Sequence, residues 1–456
     1  MDLNLSEMEY LHDKVELIRK NDAISPNLFS ELGVKRGLRD EKGRGVLTGL
    51  TSVSRVDAFK IEDSRRVPID GQLYYRGYNV QDLIAKYTEK GFGYERAAYL
   101  LLFGELPDEN ESKQFFDALA RSRQLPKGFT RDIIMKTATK DIMNSMTRSI
   151  LAIGSYEQDY DPTDLQLCIR QSLQLIAAFP LLAIYAYHAY NYYQNEDSMY
   201  IHRPLTTAST AENILRMLRP DMSYSDIEIQ VLDACLMLHM EHGGGNNSTF
   251  TTRVVTSSGS DTYSAIAAAM SSLKGPKHGG ANIKVAQMFD DIKAHVKHPT
   301  NEGEVRDYLH KIVDKQAFDG SGLIYGMGHA IYSLSDPRER LLKSFVDKLA
   351  AEKGREEELA LYESVEKLAP YVIAEKKHVF KEVSPNIDFY SGFVYDMLGI
   401  PRELFTPLFA IARISGWCAH RLEELVSGGK IIRPAYMSII NVNNTNDPNM
   451  TKAIDE

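Results

Sequence analysis

The sequence contains few cysteines, only three among 456 residues, at Cys168, Cys235 and Cys418. They form no Cys-x-x-Cys pair, and each lies in apolar or helical sequence. This spacing excludes a disulfide framework and a cysteine-rich zinc site. We therefore expect reduced thiols in a protein core, in a reducing compartment, and a cytoplasmic protein.

The chain also lacks an apolar run long enough for a membrane span. The longest, residues 175–189, falls short of the roughly 20 residues that cross a bilayer and contains Pro180 and His188. It predicts a buried helix kinked at Pro180. Residues 1–20 are acidic and amphipathic, unlike a signal peptide. We expect no membrane partner.

Basic residues are not in excess. Acidic residues outnumber basic ones by 62 to 53, which gives a net charge of −9. Such a balance argues against nucleic acid or an anionic membrane as the main partner. A local basic pocket for a small anion remains possible.

Hydrophobic periodicity predicts a mainly α-helical protein with a short β element near its N-terminus. Alternation of apolar and polar residues is confined to 46–59 and 72–80. Elsewhere apolar residues recur every three or four positions, as they do from Ser225 onward, which is typical of helices with one buried face.

The length allows two or three hydrophobic cores. Composition shifts near Gly275-Pro276 and near Ser384-Pro385. We interpret these shifts as the borders of a small domain inserted in a larger one. The predicted partition is 1–275, 276–386 and 387–456.

Four short segments rich in glycine and small residues each contain a histidine or an aspartate. They are EHGGGNNSTF around His242, GPKHGGAN around His278, YGMGHAIYSLSDPR around His329 and SPNIDFYSG around Asp388. Glycine has no Cβ, so the backbone beside it can approach a ligand closely. A structural histidine rarely needs that freedom. We expect the chemistry of the protein in these segments.

His278 lies between two predicted helices. Gly275-Pro276 ends the first, and the second begins near residue 281. The partial positive charge of a helix N-terminus disfavours a protonated imidazole. A neutral imidazole can donate a hydrogen bond to a carbonyl oxygen and stabilise an enolate. This segment alone leaves a capping or core histidine as an alternative.

Asp388 follows Ser384-Pro385, a favourable pair for the start of a helix, so we expect Asp388 in a first helical turn. The helix dipole favours an acid there whether or not it is catalytic. A structural carboxylate therefore remains an alternative. The small residues Ser391 and Gly392 leave room above the carboxylate and favour a functional role.

Two motifs resemble cofactor sites without matching them. His239, Glu241 and His242 form HxEH rather than HExxH, and no third ligand is nearby in sequence. The segment GLIYGMG at 322–328 is not GxGxxG and follows no predicted strand. We expect neither a metal nor a dinucleotide.

Three arginines occur in segments with little other charge. Arg338 lies in SDPR, Arg413 in IARISGW and Arg433 in KIIRPAY. A guanidinium in such a setting needs a carboxylate partner, and a bidentate clamp on a substrate carboxylate is one way to supply it. A buried structural ion pair is an equal alternative for each.

Taken in order, HGGGNNSTF, GPKHGGAN, YGMGHA with DPR, NIDFYSG, IARISGW and IIRP resemble the citrate synthase family, which includes 2-methylcitrate synthases. The similarity extends from QLYYRGY at 72–78 to Arg433. It implies an all-α fold in which a small domain closes over the substrates. It also implies condensation of an acyl-CoA with oxaloacetate, with no cofactor beyond the acyl-CoA co-substrate.

The resemblance implies a role for each matching residue. His278 would hydrogen-bond the thioester carbonyl of acetyl-CoA, Asp388 would take its methyl proton, and His329 would polarise the ketone of oxaloacetate. The residues implied to bind the oxaloacetate carboxylates are His242, Arg338, Arg413 and Arg433. Those implied to contact the co-substrate are Gly326, Met327 and Gly328.

In the family the last of these arginines reaches across from the partner subunit, so a homodimer with shared active sites is implied. Two positions depart from the family pattern. Ser333 stands where many members have a basic residue that meets a CoA phosphate, and Lys277 stands where a leucine-like residue is usual. Either other cations hold the phosphates or CoA binds more weakly.

The function predicted is condensation of acetyl-CoA with oxaloacetate and water to give citrate and CoA, the entry step of the tricarboxylic acid cycle. The same chemistry on propionyl-CoA, giving 2-methylcitrate, is the nearest alternative, since one methylene is worth only roughly 1–3 kcal/mol of discrimination. A catalytically silent metabolite-binding homologue is a third. Its signature would be the loss of His278, His329 or Asp388, and all three are present.

Overall fold

The structure, a computed structural model, describes residues 5–40, 43–63, 65–159, 161–329, 331–332, 334–377 and 383–439. These residues form two units, divided between Leu50 and Thr51. The first unit contains helices α1 (Leu5–Asp22) and α2 (Pro26–Glu31). Helix α2 begins with a proline, whose fixed φ and missing N–H suit the first helical position.

The second unit begins with a three-stranded antiparallel sheet in the order β1-β2-β3. Its strands are β1 (Ser54–Glu62), β2 (Arg65–Tyr75) and β3 (Tyr78–Asn79). The predicted β element is therefore confirmed, but its bounds differ, because β2 begins before Gly71. That glycine lies inside the strand, where it packs against the backbone of Ser335.

The rest of the second unit is helical, which confirms the mainly α class. The helices are α3 (Val80–Tyr87), α4 (Gly93–Phe103), α5 (Glu109–Ser122), α6 (Ile142–Gly154), α7 (Leu165–Gln194), α8 (Thr210–Leu218), α9 (Asp226–His239), α10 (Asn247–Ser257), α11 (Thr262–Leu273), α12 (Ala281–His295), α13 (Glu302–Val313), α14 (Pro337–Lys353), α15 (Glu356–Lys377), α16 (Asp388–Met397) and α17 (Phe405–Val426).

Helix α7 contains the longest apolar run of the sequence. By length and composition it could cross a membrane, but 78% of its most apolar window is buried inside the protein. It begins at Asp164, whose carboxylate accepts the N–H groups of Gln166 and Leu167, and it packs against α5, α6 and α17. The predicted burial of this helix is confirmed, and the kink at Pro180 stays a prediction. The three cysteines are also buried, as free thiols.

The segments that carry the predicted site residues lie at helix ends. His242 follows α9, which is capped at its start by Ser225 through a reciprocal pair of hydrogen bonds with Glu228. His278 lies between α11 and α12, and Asp388 begins α16. Helix α17 is almost wholly buried and packs against α4, α7, α9, α10 and α11. The small domain at 276–386 stays a prediction.

Candidate active site

His278 is held by the first turn of α10. Its Nε2 atom lies 3.3 Å from the backbone nitrogen of Ser248 and 2.8 Å from Ser248 Oγ. Because a backbone N–H can only donate, Nε2 accepts, and the single proton of the neutral ring is on Nδ1. Burial, followed by the charge of Arg413, lowers the pKa of His278 to about 4. The imidazole is therefore neutral near pH 7, with Nδ1–H as a donor.

The neutral imidazole matches the prediction, but the helix that contacts it differs. Helix α12 does begin just after His278, at Ala281, yet the imidazole is hydrogen-bonded to the start of α10. Trp417 Nε1 donates to Ser248 Oγ at 3.1 Å and so fixes the contact. A methyl group at Gly279 would lie only 2.4 Å from the carbonyl oxygen of Leu273. The tight turn that carries His278 therefore requires glycine.

His242 and His329 lie side by side, with ring centroids 5.2 Å apart. His329 Nδ1 accepts the backbone N–H groups of Ile331 and Tyr332, at 3.0 and 3.2 Å, so the proton of the neutral ring is on Nε2. Burial, followed by the charge of Arg338, lowers the pKa of His329 to about 4. The same two causes lower the pKa of His242 well below its usual value. Both rings are neutral near pH 7.

Arg338 lies beside His329, with Nη2 3.5 Å from Nε2. Both atoms carry protons, so neither accepts from the other, and the two donors converge on the space between them. A carbonyl or carboxylate oxygen there could accept from both. This pair of donors is the clearest anion-binding feature of the site.

The guanidinium of Arg338 already has a protein partner. Its Nε lies 3.0 Å from Asp336 Oδ1 and its Nη2 lies 2.7 Å from Asp336 Oδ2, and both residues are buried. The buried ion pair considered from the sequence therefore exists for Arg338. It does not exclude ligand binding, since an arginine has five N–H donors.

Asp336 was missed in the sequence analysis, although the pair Asp336-Pro337 is itself a signal for a helix start. Its Oδ1 accepts the N–H of Arg338 and caps α14. Its Oδ2 accepts the N–H of Ile387 at 3.3 Å. One buried carboxylate thus joins Arg338 to the segment immediately before Asp388.

Arg413 lies on α17 and is buried. Its Nε donates to the carbonyl oxygen of His239 at 2.8 Å, and its guanidinium lies 4.8 Å from the ring centroid of Phe409, which also contacts His278. Within the described part of the chain no carboxylate forms an ion pair with Arg413. Burial lowers the pKa of Arg413 to about 10, so it is charged at pH 7. An unpaired buried guanidinium of this kind favours an anionic ligand.

Asp388 is the first residue of α16, which confirms its predicted position in a first turn. The predicted helix start at Ser384-Pro385 is wrong, because Pro385 pairs with Met327 in an isolated β-bridge and Asn386 Oδ1 accepts the N–H of Asp388. Burial raises the pKa of Asp388 to about 6, against the opposing charge of Arg338. A carboxylate with this pKa is largely ionised at pH 7 and is a stronger base than usual.

The small residues near Asp388 serve packing rather than open space. A methyl group at Gly392 would lie 3.3 Å from the carbonyl oxygen of Asn282, so Gly392 lets α16 approach α12. Ser391 is fully buried. The room expected above the carboxylate is therefore occupied, at Gly392, by the neighbouring helix.

The segment Gly326, Met327 and Gly328 is bound to the strand-like segment before α16. Gly328 N–H donates to the carbonyl oxygen of Ser384 at 2.7 Å, and Asn386 N–H donates to that of Gly326 at 2.9 Å. Both glycines have positive φ, of 81° and 89°, which favours glycine over other residues. These bonds link the loop of His329 to that of Asp388. Contact of the segment with a co-substrate stays a prediction.

A buried polar network supports the loop of His242. Glu241 Oε1 accepts from Ser54 Oγ at 2.8 Å, from Gly243 N–H at 2.6 Å and from His420 Nε2 at 2.9 Å. His420 Nδ1 in turn accepts from Arg253 at 2.7 Å. The network joins β1, α10 and α17 around the loop. The role of Glu241 is thus structural, whereas its HxEH sequence context suggested only a metal ligand.

The residues of the HxEH motif are hydrogen-bonded to different groups and do not share one ligand. His239 Nδ1 donates to the carbonyl oxygen of Cys235 at 2.8 Å, and burial lowers the pKa of His239 to about 3. No group of three or more His, Cys, Asp or Glu side chains that could hold a metal occurs among the described residues.

Arg433 is exposed in its own chain, whereas Arg338 and Arg413 are buried. It follows Ile432, whose N–H donates to Ser257 Oγ at the end of α10. Its implied role in a partner subunit stays a prediction. Lys277 is exposed beside His278. Ser333, the other departure from the family pattern, lies outside the described residues.

The site combines neutral histidines, buried arginines and a carboxyl group with a raised pKa on a helical fold. This combination fits an acyltransferase-type condensing enzyme. A family model described as "Citrate synthase, C-terminal domain" matches residues 38–435. The chain belongs to the citrate synthase family, which confirms the resemblance. As a member it is an enzyme of citrate-synthase type.

Relatives under two names are similarly close. A citrate synthase of Synechocystis is 33% identical over 398 residues, covering 87% of this chain and 89% of the relative. A citrate synthase of Corynebacterium glutamicum is 32% identical over 381 residues, covering 82% of each. A 2-methylcitrate synthase of Shewanella oneidensis is 33% identical over 364 residues, covering 80% of this chain and 87% of the relative.

Solved structures share the fold. The citrate synthase of Pyrobaculum aerophilum superposes with a TM-score of 0.73 at 27% identity, covering 88% of this chain and 93% of the other. The citrate synthase of Thermoplasma acidophilum, solved as a ternary complex with carboxymethyl coenzyme A and oxaloacetate, also has a TM-score of 0.73, at 25% identity, covering 90% of this chain and 97% of the other.

Proposed function

We propose that the chain condenses acetyl-CoA with oxaloacetate and water to give citrate and CoA. The observation that carries the proposal is the contrast between two titratable groups. The pKa of Asp388 is raised to about 6 and that of His278 is lowered to about 4. At pH 7 the first is an available base and the second a neutral donor.

In the proposed first step, the carboxylate of Asp388 takes a proton from the thioester methyl group. His278 Nδ1–H donates to the thioester oxygen as it acquires enolate charge. A preorganised donor of this kind contributes roughly 3–4 kcal/mol to transition-state stabilisation. A thioester methyl is a weak acid, so the base needs this second group.

In the proposed second step, the enolate carbon attacks the ketone of oxaloacetate and a carbon–carbon bond forms. His329 Nε2–H and Arg338 would donate to the ketone oxygen and a neighbouring carboxylate as negative charge moves there. Arg413 would bind a second carboxylate. Water then cleaves the thioester, giving citrate and free CoA.

The second candidate is 2-methylcitrate synthesis from propionyl-CoA. It is favoured by one observation, the similar identity of this chain to relatives of both names. The chemistry is the same, and the pocket differs by about one methylene, worth roughly 1–3 kcal/mol. We prefer acetyl-CoA.

We also propose a cytoplasmic homodimer with shared active sites that uses no bound cofactor beyond its substrates. The exposure of Arg433 in its own chain supports a role in the partner's site. An arginine that binds substrate in the active site of its own chain would be expected to be buried, like Arg338 and Arg413.

The test is the rate of CoA release with oxaloacetate and either thioester. A higher kcat/KM for acetyl-CoA supports the proposal, and a higher value for propionyl-CoA replaces it with the second candidate. Asp388→Asn should reduce release from both roughly 10²–10⁴-fold. Asp396→Asn, the same change near the other end of α16, is the matched control and should leave release unchanged. No release from either thioester by the wild-type chain would overturn the proposed function.

A further inference from the structure

Tyr332 contacts both of the histidines that form the proposed oxaloacetate site. Its hydroxyl oxygen lies 3.2 Å from His242 Nε2, and its backbone N–H donates to His329 Nδ1 at 3.2 Å. Its ring centroid lies 5.4 Å from that of His242 and 4.8 Å from that of His329. The side chain is buried, with 2% of its surface exposed. One residue therefore touches both rings through different groups.

The hydroxyl contact selects a tautomer of His242. Burial raises the pKa of Tyr332, so the phenol keeps its proton. Among the described residues, His242 is its one hydrogen-bond partner. A buried phenol that only accepted would leave its own O–H unsatisfied, which is costly. The O–H therefore donates to Nε2, and the single proton of the neutral His242 ring is on Nδ1.

The same residue holds the opposite tautomer in His329. There the backbone N–H groups of Tyr332 and Ile331 occupy Nδ1, and the proton is on Nε2. Each histidine thus keeps one N–H that no described protein group accepts. Two such donors suit a ligand that presents only acceptor oxygens, as a keto dicarboxylate does.

Strand β2 holds Tyr332 in this position. A methyl group at Gly71 would lie 2.6 Å from the Tyr332 ring and 2.3 Å from the carbonyl oxygen of Ser335. Gly71 N–H donates to Ser335 Oγ at 3.2 Å, and Ser335 Oγ donates to Asp70 Oδ1 at 2.9 Å. The φ of Gly71 is not in the left-handed region. The glycine is therefore required by close approach alone.

We propose that Tyr332 is a positioning residue that sets the tautomers of His242 and His329 for binding of the keto acid, and that Gly71 keeps its ring in place. This inference rests on the proposed condensation. It assigns no proton transfer to Tyr332. Its consequence is selective, because keto-acid binding should depend on the phenol while acyl-CoA binding should not.

The first test is Tyr332→Phe, which removes the hydroxyl and keeps the ring. The KM for oxaloacetate should rise about fivefold to tenfold, as expected for one buried hydrogen bond to a ligand-binding group, with the KM for acyl-CoA unchanged. Tyr185→Phe is the matched control, since Tyr185 is also buried and donates to a backbone carbonyl, that of His202. Equal oxaloacetate KM values in the two variants would overturn the inference.

The second test is Gly71→Ala, which should displace the Tyr332 ring and raise the KM for oxaloacetate in the same selective way. Gly49→Ala is its control, because Gly49 has open space and no positive φ. Nitrogen-15 shifts of labelled histidines report the tautomers directly. Loss of the Nδ1–H tautomer of His242 in Tyr332→Phe supports the inference, and an unchanged tautomer contradicts it.

Failure of the proposed function is separable from failure of this inference. Calorimetric titration with oxaloacetate measures keto-acid binding without turnover. A wild-type chain that binds oxaloacetate but releases no CoA overturns the proposed function, and the titration of Tyr332→Phe then decides the inference. A wild-type chain that turns over, with Tyr332→Phe indistinguishable from Tyr185→Phe, overturns the inference alone.

Discussion

Asp336 and Arg338 form a fully buried ion pair in which the carboxylate also accepts the N–H of Ile387, one residue before Asp388. Asp336→Asn removes the charge and leaves a buried guanidinium without compensation. Breaking a buried pair from one side costs roughly 3–5 kcal/mol. We expect the free energy of unfolding to fall by about that amount, and the KM for oxaloacetate to rise. Denaturant unfolding measures the first and steady-state kinetics the second.

The control for Asp336→Asn is Glu62→Gln, which breaks an exposed pair with Lys60 at the end of β1. Exposed pairs contribute little, so its unfolding midpoint should match that of the wild type. If Asp336→Asn were no less stable than Glu62→Gln, the carboxylate would not be the anchor of Arg338.

Asp388→Asn should lose activity and gain stability. The pKa of Asp388 is raised to about 6 in the folded state, above the roughly 3.9 of an unfolded chain. The ionised form is thus disfavoured by folding, and stability falls as pH rises from about 4 to about 6. At pH 7.5 the variant should be more stable by about 1–3 kcal/mol, whereas at pH 4 the difference should vanish. Thermal unfolding at the two pH values checks this, and a variant less stable than wild type at pH 7.5 would contradict it.

The rate should depend on pH through the same carboxylate. Below pH 6 Asp388 is protonated and cannot accept the methyl proton, so kcat/KM for the acyl-CoA should fall about tenfold per pH unit on the acid side. His278 and His329, with pKa values lowered to about 4, stay neutral through this range. A rate profile with its acid limb near 6 is expected. If the acid limb of kcat/KM lay near pH 7 in both the wild type and Asp396→Asn, a group other than Asp388 would control the rate.

Glu241→Gln should destabilise the loop that carries His242. Burial opposes ionisation of Glu241, but its interactions with His420, Arg413 and Ser54 outweigh this and lower its pKa to about 2. A folded pKa below the unfolded value means that the stabilisation is present above about pH 4 and is lost as pH falls toward 2. The variant should therefore be less stable at pH 7, and the gap should narrow below pH 4. Equal stability at pH 7 would contradict a stabilising network.

The shared site can be tested with hybrid dimers. Arg433→Ala and Asp388→Ala chains should each be nearly inactive alone. In a mixed dimer, one site would combine the intact Asp388 of one chain with the intact Arg433 of its partner. Random mixing should then restore about a quarter of wild-type activity, since half of the dimers carry one good site of two. No recovery after mixing, with dimers formed, would place both residues in one chain's site.

Local sequence signals predicted those structural features that are determined by residues close together in the chain. The position of His278 between two helices and the buried helix α7 each follow from glycine, proline and apolar spacing within a short window. Asp388 does lie in a first turn, but its helix begins at Asp388 itself and not at Ser384-Pro385. The alternation that predicts strand β2 begins only at residue 72, whereas β2 begins at Arg65 and includes Gly71. Its glycine is needed for contact with Ser335, a residue distant in sequence.

Contacts between distant segments escaped the sequence analysis. Ser248 meets His278, Asp336 meets Ile387 and Tyr332 meets His242 across separations that no periodicity encodes. All of these residues lay inside or beside segments already singled out for chemistry. What the sequence could not supply was which polar atom each of them would face.

CoA release with oxaloacetate and acetyl-CoA, measured at pH 7.5 for the wild type, Asp388→Asn and Asp396→Asn, tests whether Asp388 is the base. Rapid release by the wild type and by Asp396→Asn, with release by Asp388→Asn reduced roughly 10²–10⁴-fold, is the predicted result. Release by Asp388→Asn within a few-fold of the wild type would contradict the assignment of Asp388 as the base.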